Sequence, residues 1–238
     1  MRVAICLWGI CRSSQYTYES FKKNILDKLS EFGIRYHILL HTYTINTPYI
    51  NGRARENGCI MDNDAWKIFK PNKFIVEDQE AVDIQLDLMK YRTHRDPWGS
   101  NFKDSTFNNH IRALYSLKQV TSLITERYYA VIYCRPDVRY MHPLRLEWFE
   151  PTLIKSSLQI PNFAKYPIND RFCLGSPSLC RVFGTRFDDA YEYSKHQSLH
   201  SEKFLLNTFR KHNIVLNEIP FGFRRVRATG AEVDKKVI

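Results

Sequence analysis

From Arg2 to Trp8 the chain is apolar at nearly every position, without the alternation of a half-exposed strand. Such a run predicts a strand covered on both faces, as in a mostly parallel sheet. Ser13 and Ser14 then lead into an amphipathic helix carrying Tyr18, Phe21, Ile25, Leu29 and Phe32 at helical spacing, stopped by Gly33. Arg35 to Leu40 reads as a second strand. Strand, helix and strand in this order form a βαβ unit with a right-handed crossover.

Residues 44 to 61 read as loop, punctuated by Pro48, Gly52 and Gly58. A short strand is predicted over Phe74–Val76 and a helix over Gln79–Lys90. The run from Tyr91 to Asp104 mixes aromatic and charged residues without a period, which marks a functional lid or a disordered loop. Phe107 to Arg127 gives the clearest helical pattern, with Ile111, Leu114, Leu117, Val120 and Ile124 on one face. Tyr129 to Cys134 is a buried strand running into Arg135-Pro136-Asp137, and Pro136, which has no N–H for a ladder, ends it or puts it at an edge.

Beyond it, short strands are expected at Leu158–Ile160 and Arg171–Leu174. One helix follows with Leu179, Val182, Phe183, Phe187 and Ala190, and another with Phe204, Leu205 and Phe209. Strands at Val215–Ile219 and Phe223–Val226 close the chain. The order predicts one α/β domain over residues 1–238, Rossmann-like, with a central, mostly parallel sheet flanked by helices.

Composition fits a folded domain, with 44% hydrophobic and 25% charged residues in a chain of 238. A formal net charge of +10 favours anionic partners, yet the basic residues are scattered, with one tight cluster at Arg224, Arg225 and Arg227. On the last strand, Arg225 is expected to face away from Arg224 and Arg227. The six cysteines show no CxxC pair or dense framework, which suits a reducing compartment. The first apolar run is broken by Gly9 and Arg12 and reads as a strand, not a signal peptide. No apolar run reaches the roughly 20 residues of a membrane span, so a soluble, cytoplasmic protein is expected.

Ligands of open α/β sheets collect beyond the carboxyl ends of the strands. That rule singles out Gly9 to Ser13, the segment His41-Thr42-Tyr43, and Arg135 to Asp137, which should converge on one sheet edge. Gly9 lets backbone N–H groups approach an anion, and Arg12 can grip a phosphate with two donors. Asp137, just past a buried strand, is placed to hold a divalent cation that bridges a diphosphate. A capping or turn role would explain the same carboxylate. Tyr43 and Trp98 are candidates for aromatic contacts to a sugar.

Gly9-Ile10-Cys11-Arg12, then YCRPDVRY, NDRFCLGSP and LHSEKFL together resemble the GT-A class of glycosyltransferases over nearly the whole chain. The likeness is to small stand-alone glycan-synthesis enzymes of large DNA viruses and bacteria. It implies a donor half at residues 1–140 that binds a UDP- or GDP-sugar, and an acceptor half at 141–238 that binds a glycan. Asp137 stands at the position of the metal- and donor-binding DxD element, with Arg135 where a first acid would be. The resemblance thus implies Mn²⁺ or Mg²⁺ at Asp137, with Arg135 or Arg12 as a cationic substitute. Glu202 matches the catalytic base of inverting members, on the first turn of a helix that Ser201 or His200 would cap, with Asp170 as its rival. His200 and Arg225 are candidate contacts to the diphosphate or acceptor.

Two other readings remain open. Another nucleotide-dependent transferase is disfavoured by the lack of GxxxxGK(S/T) and GxGxxG motifs. A basic nucleic-acid-binding domain would need a contiguous basic face, and no recognised nucleic-acid motif is present.

Overall fold

The computed structural model describes residues 1–233. Its centre is a seven-stranded sheet built around β1 (Arg2–Trp8), β2 (Arg35–Thr44) and β6 (Ala130–Cys134). β1 runs parallel to both neighbours, pairing Leu7 with Leu40 on one side and with Cys134 on the other. β5 (Lys73–Asp78) extends the sheet beyond β2, also in parallel. On the far side β9 (Cys173–Gly175) pairs antiparallel with β6 and with β8 (Leu158–Pro161), and β10 (Leu216–Ile219) closes that edge parallel to β8. The expected mostly parallel α/β sheet is the one observed.

The continuous apolar run of β1 has the predicted meaning. Val3, Ile5 and Leu7 enter one core with Phe21, Ile25 and Leu29, while Ala4, Cys6 and Trp8 enter a second with Leu117, Val120, Phe183 and Phe209. The first core lies under α1 (Ser14–Phe21) and α2 (Asp27–Glu31), which a π-helical turn, Lys22–Leu26, joins. Within that turn Asn24 is buried and donates to the Tyr140 carbonyl at 2.8 Å. Gly33, at φ 68°, ends the unit as expected.

The second core lies under α4 (Thr106–Ser122), α6 (Pro177–Thr185) and α8 (Ser201–Lys211). Helix α4 ends earlier than its pattern predicts, and the single late helix is divided at Arg186 into α6 and α7 (Phe187–His196). Arg186 is buried there, with Nη1 donating to the Phe183 carbonyl at 2.7 Å and its guanidinium 4.3 Å from the Phe183 ring. The expected loop after β2 contains a hairpin, β3 (Tyr49–Asn51) with β4 (Glu56–Cys59). The predicted helix from Gln79 gives α3 (Gln79–Leu86) and then a 3-10 turn, while α5 (Pro151–Ser156) precedes β8. β7 (Val138–Tyr140) pairs antiparallel with β11 (Phe223–Val226), which also pairs with β12 (Glu232–Val233). Pro136 therefore stands where the chain leaves the large sheet for this small one. No helix among the described residues is long and apolar enough to cross a membrane.

Candidate functional site

The exit of the chain from β6 fixes the site. Thr17 Oγ1 donates to the Pro136 carbonyl at 2.7 Å, and the Val226 N–H donates to the Asp137 carbonyl at 2.9 Å. Asp137 is buried and both its oxygens are engaged. Oδ1 accepts from Arg135 Nε at 2.9 Å, and Oδ2 accepts from Arg135 Nη2 at 3.0 Å and from Arg12 Nη2 at 2.7 Å. Burial pushes its pKa upward, but Arg135 and Arg12 outweigh it and hold Asp137 well below the usual carboxylate range. Burial likewise opposes the charge on Arg12, yet Asp137, Tyr49 and Glu56 raise its pKa.

Arg12 is gripped from its other side by Glu56, whose Oε2 accepts from Nη1 at 2.9 Å while Oε1 accepts from the Ala228 N–H at 2.8 Å. The Arg135 guanidinium lies 4.7 Å from the Trp8 ring centroid and packs against Gly9. Gly9 has φ +97°, and a Cβ there would meet Arg135 Cζ and Nη1 at 3.0 Å. Its N–H donates to Ser116 Oγ at 2.8 Å, so this glycine makes room for an arginine while its own donor is engaged within the protein.

Three adjoining cavities open around this knot, with Asn109 in the wall of each. A narrow one of about 90 Å³ lies between Gly9, Tyr43, Tyr49 and Asn51 and shares Arg12, Arg135 and Asn109 with a middle cavity of about 180 Å³. The middle cavity presents six guanidinium groups, from Arg12, Arg135, Arg171, Arg186, Arg225 and Arg227, against the carboxylates of Asp137 and Asp170. Arg171, Arg225, Arg227 and Asn109 are shared with an open cleft of about 550 Å³, which Trp98, Tyr166, His200 and Glu202 also line. Trp8 Nε1, Arg12 Nε, His110 Nε2, Asp170 Oδ1, Arg186 Nε, His200 Nδ1 and Arg227 Nε lack a hydrogen-bond partner among the described residues. Buried polar atoms of a folded protein are nearly always satisfied, so a concentration of unsatisfied ones along one cleft marks a ligand or water site.

Two carboxyls in the cleft are driven in opposite directions. Asp170 is pushed up by burial but pulled below its usual range by Arg171 and Arg186. Glu202, on the first turn of α8, is raised to about 8 by burial and by Asp170, with Arg171 4.0 Å from its Oε1. His110 is lowered to about 3 by burial and is therefore neutral across the physiological range. Arg186 is lowered by burial to about 10.

The structure brings Gly9, Arg12, Tyr43, Arg135, Asp137, Asp170, His200, Glu202 and Arg225 to these adjoining cavities. It does not bring His41 and Thr42. β2 runs on to Thr44, so these two sit inside a strand and not beyond it. His41 is fully buried between Ser116 Oγ at 2.7 Å and Glu77 Oε2 at 2.8 Å, and Thr42 Oγ1 accepts from the Cys11 N–H at 3.3 Å. Tyr43 reaches the narrow cavity wall while its hydroxyl donates to the Arg112 carbonyl at 2.7 Å.

The expectation for the last arginines is corrected. Side chains on a strand alternate, so Arg225 and Arg227 share a side and Arg224 takes the other. Arg225 and Arg227 line the cleft, and Arg224 pairs with Glu232 at 3.2 Å. His200 precedes α8 without a side-chain capping bond. The aperiodic segment before α4 is organised by buried Asp96, which accepts from the Trp98 and Phe102 N–H groups at 2.8 Å and from Ser100 Oγ, and so sets Trp98 at the cleft.

Sequence reasoning missed Trp8, Asn109, His110, Arg171 and Arg186, along with Glu56. Arg186 left one readable signal, a lone charge between Phe183 and Phe187 in an apolar helical pattern.

The residues present do not fit a divalent cation at Asp137, since both carboxylate oxygens are held by guanidinium groups. Among the described residues no cluster of three His, Cys, Asp or Glu side chains is placed to hold a metal.

No protein-family model matches the chain, and no curated protein matches it in sequence. Among solved structures it is similar to mouse xyloside xylosyltransferase 1 in its apo form, at 12% identity and a TM-score of 0.44, over 92% of this chain and 85% of that one. It is also similar to the glycosyltransferase GlyE of Streptococcus pneumoniae TIGR4, at 11% identity and a TM-score of 0.47 for the apo form. A second GlyE structure gives 14% and 0.45. Those matches cover 92% of this chain but only 45% of GlyE. Likeness at this level leaves the chemistry to be read from the cleft itself.

Proposed function

We propose that the protein is a glycosyltransferase that moves a sugar from a nucleoside-diphosphate sugar to an acceptor hydroxyl with inversion at the anomeric carbon. The observation that carries this reading is a set of adjoining cavities that joins an arginine-lined pocket to an open aromatic cleft holding Glu202. A narrow slot walled by Tyr43, Tyr49 and Asn51 offers aromatic faces to part of a planar base. An arginine-lined middle suits a diphosphate, and an open aromatic cleft with Glu202 suits a sugar and its acceptor.

In this arrangement Glu202 takes the proton of the acceptor hydroxyl as that oxygen bonds to the anomeric carbon. The bond from the anomeric carbon to the diphosphate oxygen breaks, and the nucleoside diphosphate leaves with its charge held by the arginines. Two neighbouring carboxyls with pKa values driven apart divide the roles. Asp170 stays ionised beside Arg171 and Arg186, whereas Glu202, raised to about 8, is the more proton-avid of the two.

A thermal-shift panel of UDP, GDP, CMP and their sugars tests the reading, because a ligand that binds the folded state raises the melting temperature. Stabilisation by one nucleoside diphosphate and its sugars supports it. Stabilisation by oligonucleotides alone, lost steeply with salt, would replace it with nucleic-acid binding.

A further inference from the structure

We infer that the counter-charge for the diphosphate is a guanidinium clamp that works without a divalent cation, and that Asp137 is the carboxylate that positions it. This rests on the proposed nucleotide-sugar reading and adds to it how the leaving group is held.

Three observations carry the inference. Arg135 binds Asp137 in fork-to-fork fashion, with Nε and Nη2 at 2.9 and 3.0 Å from the two oxygens, and Arg12 Nη2 is 2.7 Å from Oδ2. A metal ligated by Asp137 would displace these donors and sit beside two fixed positive charges. The other acid at the knot, Glu56, is itself engaged by Arg12 and the Ala228 N–H, so it completes no ligand set.

The middle cavity, finally, is short of acceptors. Trp8 Nε1, Arg12 Nε, Arg186 Nε and Arg227 Nε are donors without a hydrogen-bond partner among the described residues, and Asp170 Oδ1 is the one carboxylate oxygen there in the same condition. Donors left unpaired along a cavity await water or an anion, and guanidinium matches phosphate oxygens two at a time. Asp137 and Glu56 hold Arg12 from two sides, and Asp137 with the Trp8 ring and Gly9 fixes the plane of Arg135.

Calorimetric titration of the full chain with inorganic pyrophosphate, and with the nucleoside diphosphate that stabilises it, tests this in EDTA and again in Mn²⁺. Affinities that agree within about threefold support the clamp, since the ligand then owes its binding to the protein donors. A loss of tenfold or more in EDTA overturns the clamp while leaving the nucleotide-sugar reading standing. No binding of either ligand in both buffers overturns both.

Asp137→Asn keeps the size of the side chain and removes its charge. It should weaken pyrophosphate about tenfold in EDTA and in Mn²⁺ alike, because Arg12 and Arg135 lose the acceptor that orients them and this outweighs the removal of a negative charge near the anion. A variant that loses only its response to Mn²⁺ would make Asp137 a metal ligand and refute the inference. Arg135→Lys keeps the charge but loses the fork, and should weaken pyrophosphate about tenfold in EDTA and in Mn²⁺ alike. Unaltered affinity in that variant would also count against the clamp.

Discussion

Replacing Glu202 with Gln removes one proton-binding group whose affinity is set by the fold. Burial, aided by Asp170 and opposed by Arg171 and Arg225, raises the carboxyl pKa from 4.5 to about 8. The folded chain therefore holds this proton more tightly than the unfolded chain. The resulting stability is fully present below pH 4.5 and is lost as pH rises through about 8. At about 1.4 kcal/mol per pH unit, the interval between the two values sets an upper bound of about 5 kcal/mol on that loss.

Glutamine cannot ionise, so Glu202→Gln escapes the loss. With about 2–4 °C of melting temperature per kcal/mol in a domain of this size, the variant should exceed the parent by up to about 10–20 °C at alkaline pH. The two should nearly coincide in acid. Thermal unfolding followed by circular dichroism across the window reads this directly. The same change should cut turnover at least about a hundredfold while leaving nucleoside diphosphate affinity within a few-fold, as loss of a general base does. The parent's turnover should climb with pH through about 8. Parallel stability curves for the two proteins, or a collapse of donor affinity, would refute the assignment.

Gly9→Ala forces a Cβ against the Arg135 guanidinium at a backbone φ of +97°, so nucleoside diphosphate affinity should fall about tenfold or more by calorimetry, with a stability cost of about 1 kcal/mol or more. Trp98→Ala removes an aromatic wall of the open cleft and should raise the acceptor KM about tenfold in steady-state kinetics, with donor affinity unchanged. Gly184→Ala should destabilise the fold by about 1–3 kcal/mol in urea titration, because its Cβ would collide with the Tyr133 and Thr121 hydroxyls in the second core.

The central sheet was legible because its strands are buried on both faces and leave unbroken apolar runs, as Arg2–Trp8 and Ala130–Cys134 do. Their carboxyl ends located the site for the same reason. The extent of β2 was not legible, since His41, Thr42 and Tyr43 resemble a polar loop until Ser116 and Glu77 are seen to satisfy His41. Asp137 was found, yet its partners were not predictable in full. Arg135 is two residues away, but Arg12 and Glu56 arrive from elements distant in sequence, and only the fold brings them together. Arg171 and Arg186 were missed on similar grounds. Arg186 showed only a lone charge in an apolar helical pattern, and its partner Asp170 lies across a tertiary contact. Glu202 was marked by its place on the first turn of a helix, but its raised pKa depends on Asp170 and on burial, which the sequence does not display.

The most direct test follows the phosphorus atoms. The full chain, incubated with its stabilising nucleoside-diphosphate sugar and a glycan acceptor and observed by ³¹P NMR, should convert the sugar diphosphate to free nucleoside diphosphate, with the new terminal phosphate resonance appearing only when both the acceptor and Glu202 are present. Release of nucleoside monophosphate would mean that the bond broken lies between the phosphates. That result, or an unchanged spectrum with a suitable acceptor present, would contradict glycosyl transfer.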